Sequence, residues 1–269
     1  MDKQPFNEKK STSNHATDKK NKKKSFGFKK FFLALLTLFI VVFLGVGCGL
    51  VAIGLDGDKD VSDIHPPASS QILDMNGNLI TNIHATENRT LVTLDKIPAN
   101  LQNAFIAVED NRFYEHNGID PRGIFRAIYS NLTSGEVAEG GSTITQQLAK
   151  NAFLSQDRTF KRKIQEFFIA LRLERQYTKE EILEMYLNQI YFGRGAYGVQ
   201  AAAQTYFGKD VSQLDLSECA MLAGIPRSPN YYSPLNNLGA ANERKAEVLD
   251  QMVKYGYIDS TTAAKTKAE

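Results

Sequence analysis

Two stretches of the chain combine residue types suited to proton transfer and anion binding. The first begins at Glu109 and Asp110, an acidic pair at the end of an apolar-patterned helix, where the helix dipole disfavours carboxylates. That unfavourable placement makes the pair a candidate general base. The next eight residues bring together aromatic, basic and imidazole groups, Asn111-Arg112-Phe113-Tyr114-Glu115-His116-Asn117-Gly118. This density favours a site over ordinary solvated surface.

The second stretch runs from Glu139 to Asn151 and opens with Gly140 and Gly141. Thr143 and Gln146 have the spacing of a capping box, which predicts a helix start, and a helix N-terminus behind two glycines suits an anion. Helical spacing predicts one polar face that would suit an oxygen-rich ligand, formed by Thr143, Gln146, Gln147 and Lys150. The alternative interpretation of this stretch alone is a solvated helix face behind a loop.

A third cluster supplies cations beside one carboxylate, Arg158, Arg162, Lys163 and Glu166. Arg162 and Glu166 have the spacing of a surface ion pair. Residues 164–173, however, are apolar almost all round, so we expect a buried helix whose charged N-terminal end lines a cleft. Such a cluster suits a diphosphate better than a neutral sugar.

The elements that must position these residues are mainly helices. After Pro98, at the start of a first helix, helical patterns cover residues 121–134, 143–153, 159–176, 179–191, 197–206, 215–224, 240–255 and 260–267. Thr178 and Glu181 form another capping box. We expect residues 179–198 to be mostly scaffold, and a Pro-rich turn at 226–234 to bring Arg227 toward the cleft.

Charge is distributed unevenly along the 269 residues, whose net charge is +2. Residues 1–30 hold ten lysines against three acids, so residues 31–269 carry a net negative charge of about five. The basic excess is confined to a tail, which argues against a nucleic-acid partner. Two cysteines give neither a disulfide framework nor a metal cluster.

The domain organisation follows from these shifts in composition. We predict a disordered cytoplasmic tail at 1–30, a transmembrane helix at 31–55, a stalk at 56–69, a mostly α domain at 70–256 and a C-terminal helix at 257–269. The uncharged run at 31–55 is too long for a cleaved signal peptide, and the preceding lysines orient the N-terminus to the cytoplasm. Residues 70–80 have a hairpin pattern around an Asn-Gly turn.

In this order, the motifs resemble those of family 51 peptidoglycan glycosyltransferases. They are Glu109 to Gly118, Gly140 to Gln147, Arg162 to Glu166, Tyr186-Leu187-Asn188 and the turn from Arg227 to Pro234. The resemblance covers residues 70–256. It implies a lysozyme-like α fold with a small jaw against the membrane, at 119–137, where Ile124, Phe125, Ile128 and Leu132 would touch lipid.

The resemblance also implies polymerisation of lipid II, with inversion at the anomeric carbon and release of undecaprenyl diphosphate in the cytoplasmic membrane. Glu109 would be the general base, and Glu166 would position the donor or a divalent cation, Mg²⁺ or Mn²⁺; no organic cofactor is implied. The other residues implied to bind substrate are Asp110, Phe113, His116, Gly141, Ser142, Thr143, Thr145, Gln146, Gln147, Lys150, Asn151, Arg158, Arg162, Lys163, Asn188 and Arg227.

The segment from Ser70 to Pro98 resembles the start of class A penicillin-binding proteins. We expect no transpeptidase activity, because the sequence lacks a Ser-x-x-Lys motif, so the chain is either a truncated class A protein or a monofunctional enzyme. The implied partners are lipid II, the nascent glycan strand, membrane lipid and proteins of wall synthesis or division. The alternatives are a lysozyme-like wall hydrolase and a non-catalytic scaffold of wall synthesis.

Overall fold

The structure, a computed structural model, describes residues 32, 33, 35–37, 39, 41, 45, 49, 70–73, 75, 79–83, 88–134, 140–154, 157 and 159–268. The chain divides into two units, residues 1–49 and 50–269. The predicted tail and stalk, and most of the predicted membrane span, lie outside the described residues. Among the helices that can be described, none combines the length and apolarity needed to cross a bilayer.

Short strands begin the described part of the second unit. Strand β1 (Ser70–Leu73) pairs antiparallel with β2 (Leu79–Ile83), which confirms the predicted hairpin. Strand β3 (Asn88–Arg89) pairs in parallel with β4 (Ala196–Tyr197), a pairing that the sequence did not predict. It ties the chain before the first helix to a loop about a hundred residues later.

Helices make up most of the remaining described structure, which confirms the mostly α prediction. They are α1 (Ala99–Glu109), α2 (Pro121–Ser134), α3 (Ile144–Phe153), α4 (Phe160–Gln176), α5 (Lys179–Gln189), α6 (Val199–Phe207), α7 (Leu216–Gly224), α8 (Leu238–Lys254) and α9 (Ser260–Lys267). Both capping boxes are present, at Thr143 with Gln146 and at Thr178 with Glu181. Pro98 is the N-cap of α1 rather than its first residue.

Helix α1 contributes five buried residues to the core. It packs against α7 and α8, while α3 packs against α4 and α5. The ring of Phe105 on α1 meets the rings of Tyr186 and Phe192 edge to face, with centroids 6.0 and 6.1 Å apart. Leu101, Phe105 and Tyr186 are fully buried. This packing fixes the direction of α1 and therefore the position of Glu109 at its end.

Helix α4 differs from the prediction that it is buried all round. Its buried residues form a single stripe, Glu166, Ile169, Ala170 and Leu173. Phe160 is 79% exposed and Phe167 39% exposed, because α4 is covered mainly along the side that meets α3. Helix α2 also presents large apolar side chains to the surface, namely Phe125, Ile128, Tyr129 and Leu132.

Candidate active site

Glu109 is the last residue of α1 and lines a cavity of about 530 Å³. Its Oε2 accepts a hydrogen bond from Gln147 Nε2 at 2.7 Å. Gln147 Oε1 in turn lies 3.5 Å from the hydroxyl of Tyr186, which donates to it. Burial, with the charges of Glu109 and Asp110, raises the pKa of Tyr186 well above its ordinary value, so the phenol stays protonated. Glu109 is thus held by a neutral amide and keeps its capacity to accept a proton.

The neighbouring Asp110 is buried and bonded inside the protein. Its carboxylate lies 2.9 Å from His116 Nε2 and accepts the backbone N–H of Ile144, the first residue of α3, at 3.0 Å. A carboxylate at a helix N-terminus is stabilised by the helix dipole. Asp110 therefore joins the end of α1 to the beginning of α3 and brings Gln147 to Glu109.

The N-terminus of α3 is occupied by groups of the protein, contrary to the expectation that it offers an anion site. The N–H of Gln146 bonds to Thr143 Oγ1, and the N–H of Thr143 bonds to the Gln146 side chain. Thr143 Oγ1 also donates to the carbonyl of Gly118 at 2.6 Å. Of the four residues predicted to share a polar face, Thr143 and Gln146 serve as caps, and only Gln147 and Lys150 remain to face the site.

A recess beside the main cavity connects Glu109 with the glycine pair. It is lined by Glu109 to Asn111 and by Gly140 to Thr143, together with Asp120, Gly123 and Arg126. Ser142 in this recess accepts a hydrogen bond from Lys163 Nζ at 2.9 Å. Ser142 therefore links the recess that Glu109 lines to Lys163 of the basic cluster.

The cation cluster is formed where α3 and α4 pack together. Lys163 Nζ lies 2.5 Å from Glu166 Oε1; the lysine side chain is 48% exposed and the glutamate side chain 3% exposed. Burial lowers the pKa of Lys150 below its ordinary value, the charge of Glu166 opposes this shift, and Arg162 and Lys163 add to it. The charge of Glu109 also opposes the lowering of the Lys150 pKa. Arg158 lies outside the described residues.

Several residues that were predicted to bind substrate have partners within the protein. Phe113 is fully buried, with Lys179 Nζ 4.5 Å above its ring. Thr145 Oγ1 donates to Glu174 Oε1 at 2.5 Å, and Asn188 Nδ2 donates to the carbonyl of Val92 at 2.8 Å. We interpret Phe113, His116, Thr143, Thr145, Gln146 and Asn188, together with Asp110, as residues that hold the site together.

The remaining predicted residues lie nearer the surface. Arg227 is exposed and lines the main cavity with Glu109. A Cβ on Gly141 would come within 3.5 Å of Ile124 on α2. Asn151, on α3, accepts a long hydrogen bond through its backbone carbonyl from Gln189 at 3.4 Å.

Sequence reasoning missed the wall of the cavity formed by α8. That wall consists of Arg244, Glu247, Asp250 and Gln251, and it continues to Tyr255 just after the helix. A signal was present, because Arg244 interrupts the stripe of Ala240, Ala241, Val248 and Met252 that buries α8. A charged residue at a core position of an amphipathic helix indicates a special environment.

The described residues of this cluster do not provide a set of protein ligands for a divalent cation. Within the ranges that the structure describes, no group of three His, Cys, Asp or Glu residues could hold a metal ion. Glu166, the predicted metal contact, is already paired with Lys163. A metal held between Glu166 and the diphosphate of the substrate stays a prediction, and we assign no step to it.

Comparisons with known proteins identify a family and several relatives. The family model described as Transglycosylase matches residues 76–253. Penicillin-binding protein 1F of Bacillus subtilis (strain 168) is 46% identical over 239 residues, which cover 87% of this chain and 33% of that protein. Penicillin-binding protein 1A of Escherichia coli (strain K12) is 46% identical over 245 residues, which cover 90% and 29%.

Solved structures include a similar protein, the 2.6 Å crystal structure of penicillin-binding protein 1A from Haemophilus influenzae. It has a TM-score of 0.45 and 28% sequence identity, and the match covers 76% of this chain and 21% of that one. The chain spans about a third of the length of the curated relatives named above. The family model covers most of the chain, including Glu109, Glu166 and Arg227. The chain therefore belongs to the transglycosylase family, the family 51 peptidoglycan glycosyltransferases.

Proposed function

We propose that the chain polymerises lipid II into β-1,4-linked glycan strands for the bacterial cell wall. Glu109 takes the proton from the 4-hydroxyl of the acceptor's N-acetylglucosamine as that oxygen attacks C1 of the donor's N-acetylmuramic acid. The bond from C1 to the diphosphate oxygen breaks, and undecaprenyl diphosphate leaves with the bonding electrons. Attack opposite the leaving group inverts the anomeric carbon.

The surroundings of Glu109 support its role as the base. Its one described hydrogen-bond partner, Gln147, is neutral, so its charge is not cancelled by an ion pair. The carboxylate lines a cavity large enough for a sugar and its substituents, since ligand cavities of about 300–1,000 Å³ are usual. Proton transfer by a positioned side chain commonly contributes about 10²–10⁴-fold to a rate.

Lys150, Arg162 and Lys163 are proposed to stabilise the diphosphate that leaves, with Arg158 as a further cation predicted by sequence. Cations positioned before the reaction stabilise charge as it develops on the leaving group, so no general acid is required. Glu166, buried and paired with Lys163, positions that ammonium. The observation that carries the proposal is that Glu109 lines the same recess as Ser142, to which Lys163 donates at 2.9 Å, so the base and the cations share one site.

A lysozyme-type hydrolase would need a carboxylic acid to protonate a neutral leaving group, opposite a second carboxylate. Glu166 is unsuited to either role, because it is buried against Lys163. The cations also match a diphosphate better than a neutral glycosidic oxygen. These observations favour transfer over hydrolysis.

Membrane attachment belongs to the same proposal. The N-terminus would be cytoplasmic, a single span at 31–55 would anchor the chain, and the catalytic domain, with a lysozyme-like fold, would lie outside. The exposed apolar side chains of α2, among them Phe125 and Leu132, would contact lipid as a jaw. Membrane lipid, the nascent strand and proteins of wall synthesis or division are the proposed partners.

The experiment that tests the function incubates the detergent-solubilised protein with labelled lipid II and separates the products on a gel. A ladder that a muramidase digests, and that Glu109→Gln does not make, is the expected result. Clearing of preformed peptidoglycan without a ladder would instead identify a hydrolase. If neither substrate changes, the result favours a non-catalytic scaffold and overturns the proposal.

A further inference from the structure

The wall of the main cavity that α8 forms contains a buried arginine that the proposed reaction does not use. Arg244, on α8, is 6% exposed, and its Nη1 donates to Glu247 at 2.6 Å. Its Nε is buried and has no hydrogen-bond partner among the described residues. An arginine that is desolvated and incompletely bonded is costly unless a ligand completes its bonds.

The fold makes room for this side chain. Gly224, at the end of α7, lies so close to Arg244 that a Cβ there would come within 2.8 Å of Arg244 Cγ. The guanidinium also lies 6.0 Å from the centre of the Tyr232 ring. Arg244 is thus held between α7 and the Pro-rich turn, at the edge of a cavity that also contains Glu109 and Arg227.

We propose that Arg244 and Arg227 bind a carboxylate of the peptide that lipid II carries on its muramic acid. This inference rests on the proposed function. With Glu109 at the acceptor hydroxyl, the cavity beyond it receives the rest of the acceptor. A guanidinium offers two parallel N–H groups that match the two oxygens of a carboxylate. Binding a neutral sugar would not require its positive charge.

The other charges of the cavity distinguish a peptide from a diphosphate. Glu247 and Asp250 line the same wall, with side chains 60% and 63% exposed; Glu247 pairs with Arg244, and Asp250 pairs with Lys267. This wall therefore alternates cations and carboxylates, a pattern that suits a peptide bearing both amino and carboxyl groups better than a diphosphate, which carries negative charge only. The diphosphate of the donor already has Lys150 and Lys163.

The test compares two labelled substrates with the full-length protein in detergent: lipid II with its natural peptide, and lipid II whose peptide carboxylates are converted to amides. We expect wild-type KM to be several-fold higher for the amidated substrate. Arg244→Gln should raise KM about tenfold for natural lipid II, the cost of one charge-assisted hydrogen bond, and change KM for the amidated form less than about twofold.

Arg244 is buried, so a second variant, Arg227→Gln, is measured with it. Arg227 is exposed, and its substitution should raise KM in the same direction, about threefold, without disturbing the fold. Arg175→Gln removes an equal charge from an exposed position away from the cavity and serves as the matched control. If both cavity variants raise KM equally for the two substrates, or for neither, the carboxylate site is wrong while the function stands. A wild type that polymerises neither substrate would instead overturn the function and this site with it.

Discussion

Glu109 and Glu166 differ in every property that decides what a carboxylate can do. Glu109 is half-buried, lines an open cavity and is bonded to the amide of Gln147. Glu166 is almost completely buried and paired with the ammonium of Lys163. A carboxylate that faces substrate through a neutral partner can accept a proton, whereas one neutralised by a lysine mainly fixes that lysine. Residue type alone would not have divided these roles.

Glu109→Gln is expected to have the largest effect of the substitutions considered. The amide keeps the shape of the side chain and can still bond to Gln147, but it cannot accept the proton. We expect the polymerisation rate to fall about 10²–10⁴-fold, with an unchanged melting temperature. Initial rates with labelled lipid II, beside thermal unfolding, measure both. A variant that retains most of its rate would remove Glu109 from the role of base.

Glu166→Gln should act on binding rather than on proton transfer. It leaves Lys163 without its charged partner, and because that lysine is half exposed the fold should tolerate the change. We expect about tenfold weaker binding of lipid II, measured by direct titration in detergent. If the affinity is unchanged but the polymerisation rate is lost, Glu166 takes part in the chemistry. The two carboxylates would then not have separate roles.

Asp110→Asn tests whether the acid beside Glu109 is structural. Asn keeps one acceptor for the N–H of Ile144 but loses the charge that faces His116 and the helix dipole. We expect a loss of about 1.5 kcal/mol in the free energy of unfolding, seen as a fall of roughly 3–6 °C in melting temperature. The rate should fall only a few-fold at a temperature where the variant is folded, so a loss as large as that of Glu109→Gln would contradict this role.

Lys150→Arg should change the pH dependence slightly. Burial lowers the pKa of Lys150 from its ordinary 10.5, so its positive charge is lost at a lower pH than that of a free lysine. In the window between the lowered and the ordinary value the unfolded chain binds more protons, so this residue's contribution to stability rises with pH there. We expect the wild-type rate to fall at alkaline pH as Lys150 loses its charge. Arginine stays charged, so this fall should move to higher pH in the variant. Identical alkaline limbs would exclude Lys150 as the group responsible.

Much of the fold could be predicted because local signals were strong. The capping residues Thr143 and Thr178 and the apolar stripe through Leu101 and Phe105 set helix boundaries that the structure reproduces within two residues. The pairing of β3 with β4 could not be predicted, since it joins two-residue segments far apart in the chain. The exposure of Phe160 and Phe167 also escaped prediction, because composition does not tell which side of a helix lacks a neighbour.

For the candidate site, sequence identified residues but not their directions. Thr145 and Asn188 belong to the motifs, yet their side chains bond to Glu174 and to the backbone of Val92. These bonds join elements distant in sequence, so no spacing rule could reveal them. Arg244 was missed for the opposite reason, since it lies outside the motifs and only the packing of α7 against α8 brings it to the cavity.

The most direct test of the division between the two carboxylates is to determine kcat and KM for lipid II in the wild type, Glu109→Gln and Glu166→Gln under one set of conditions. The account predicts that Glu109→Gln loses kcat about 10²–10⁴-fold at nearly constant KM, while Glu166→Gln raises KM about tenfold and keeps most of kcat. A Glu109→Gln enzyme with wild-type kcat, or two variants that lose the same parameter to the same extent, would contradict it.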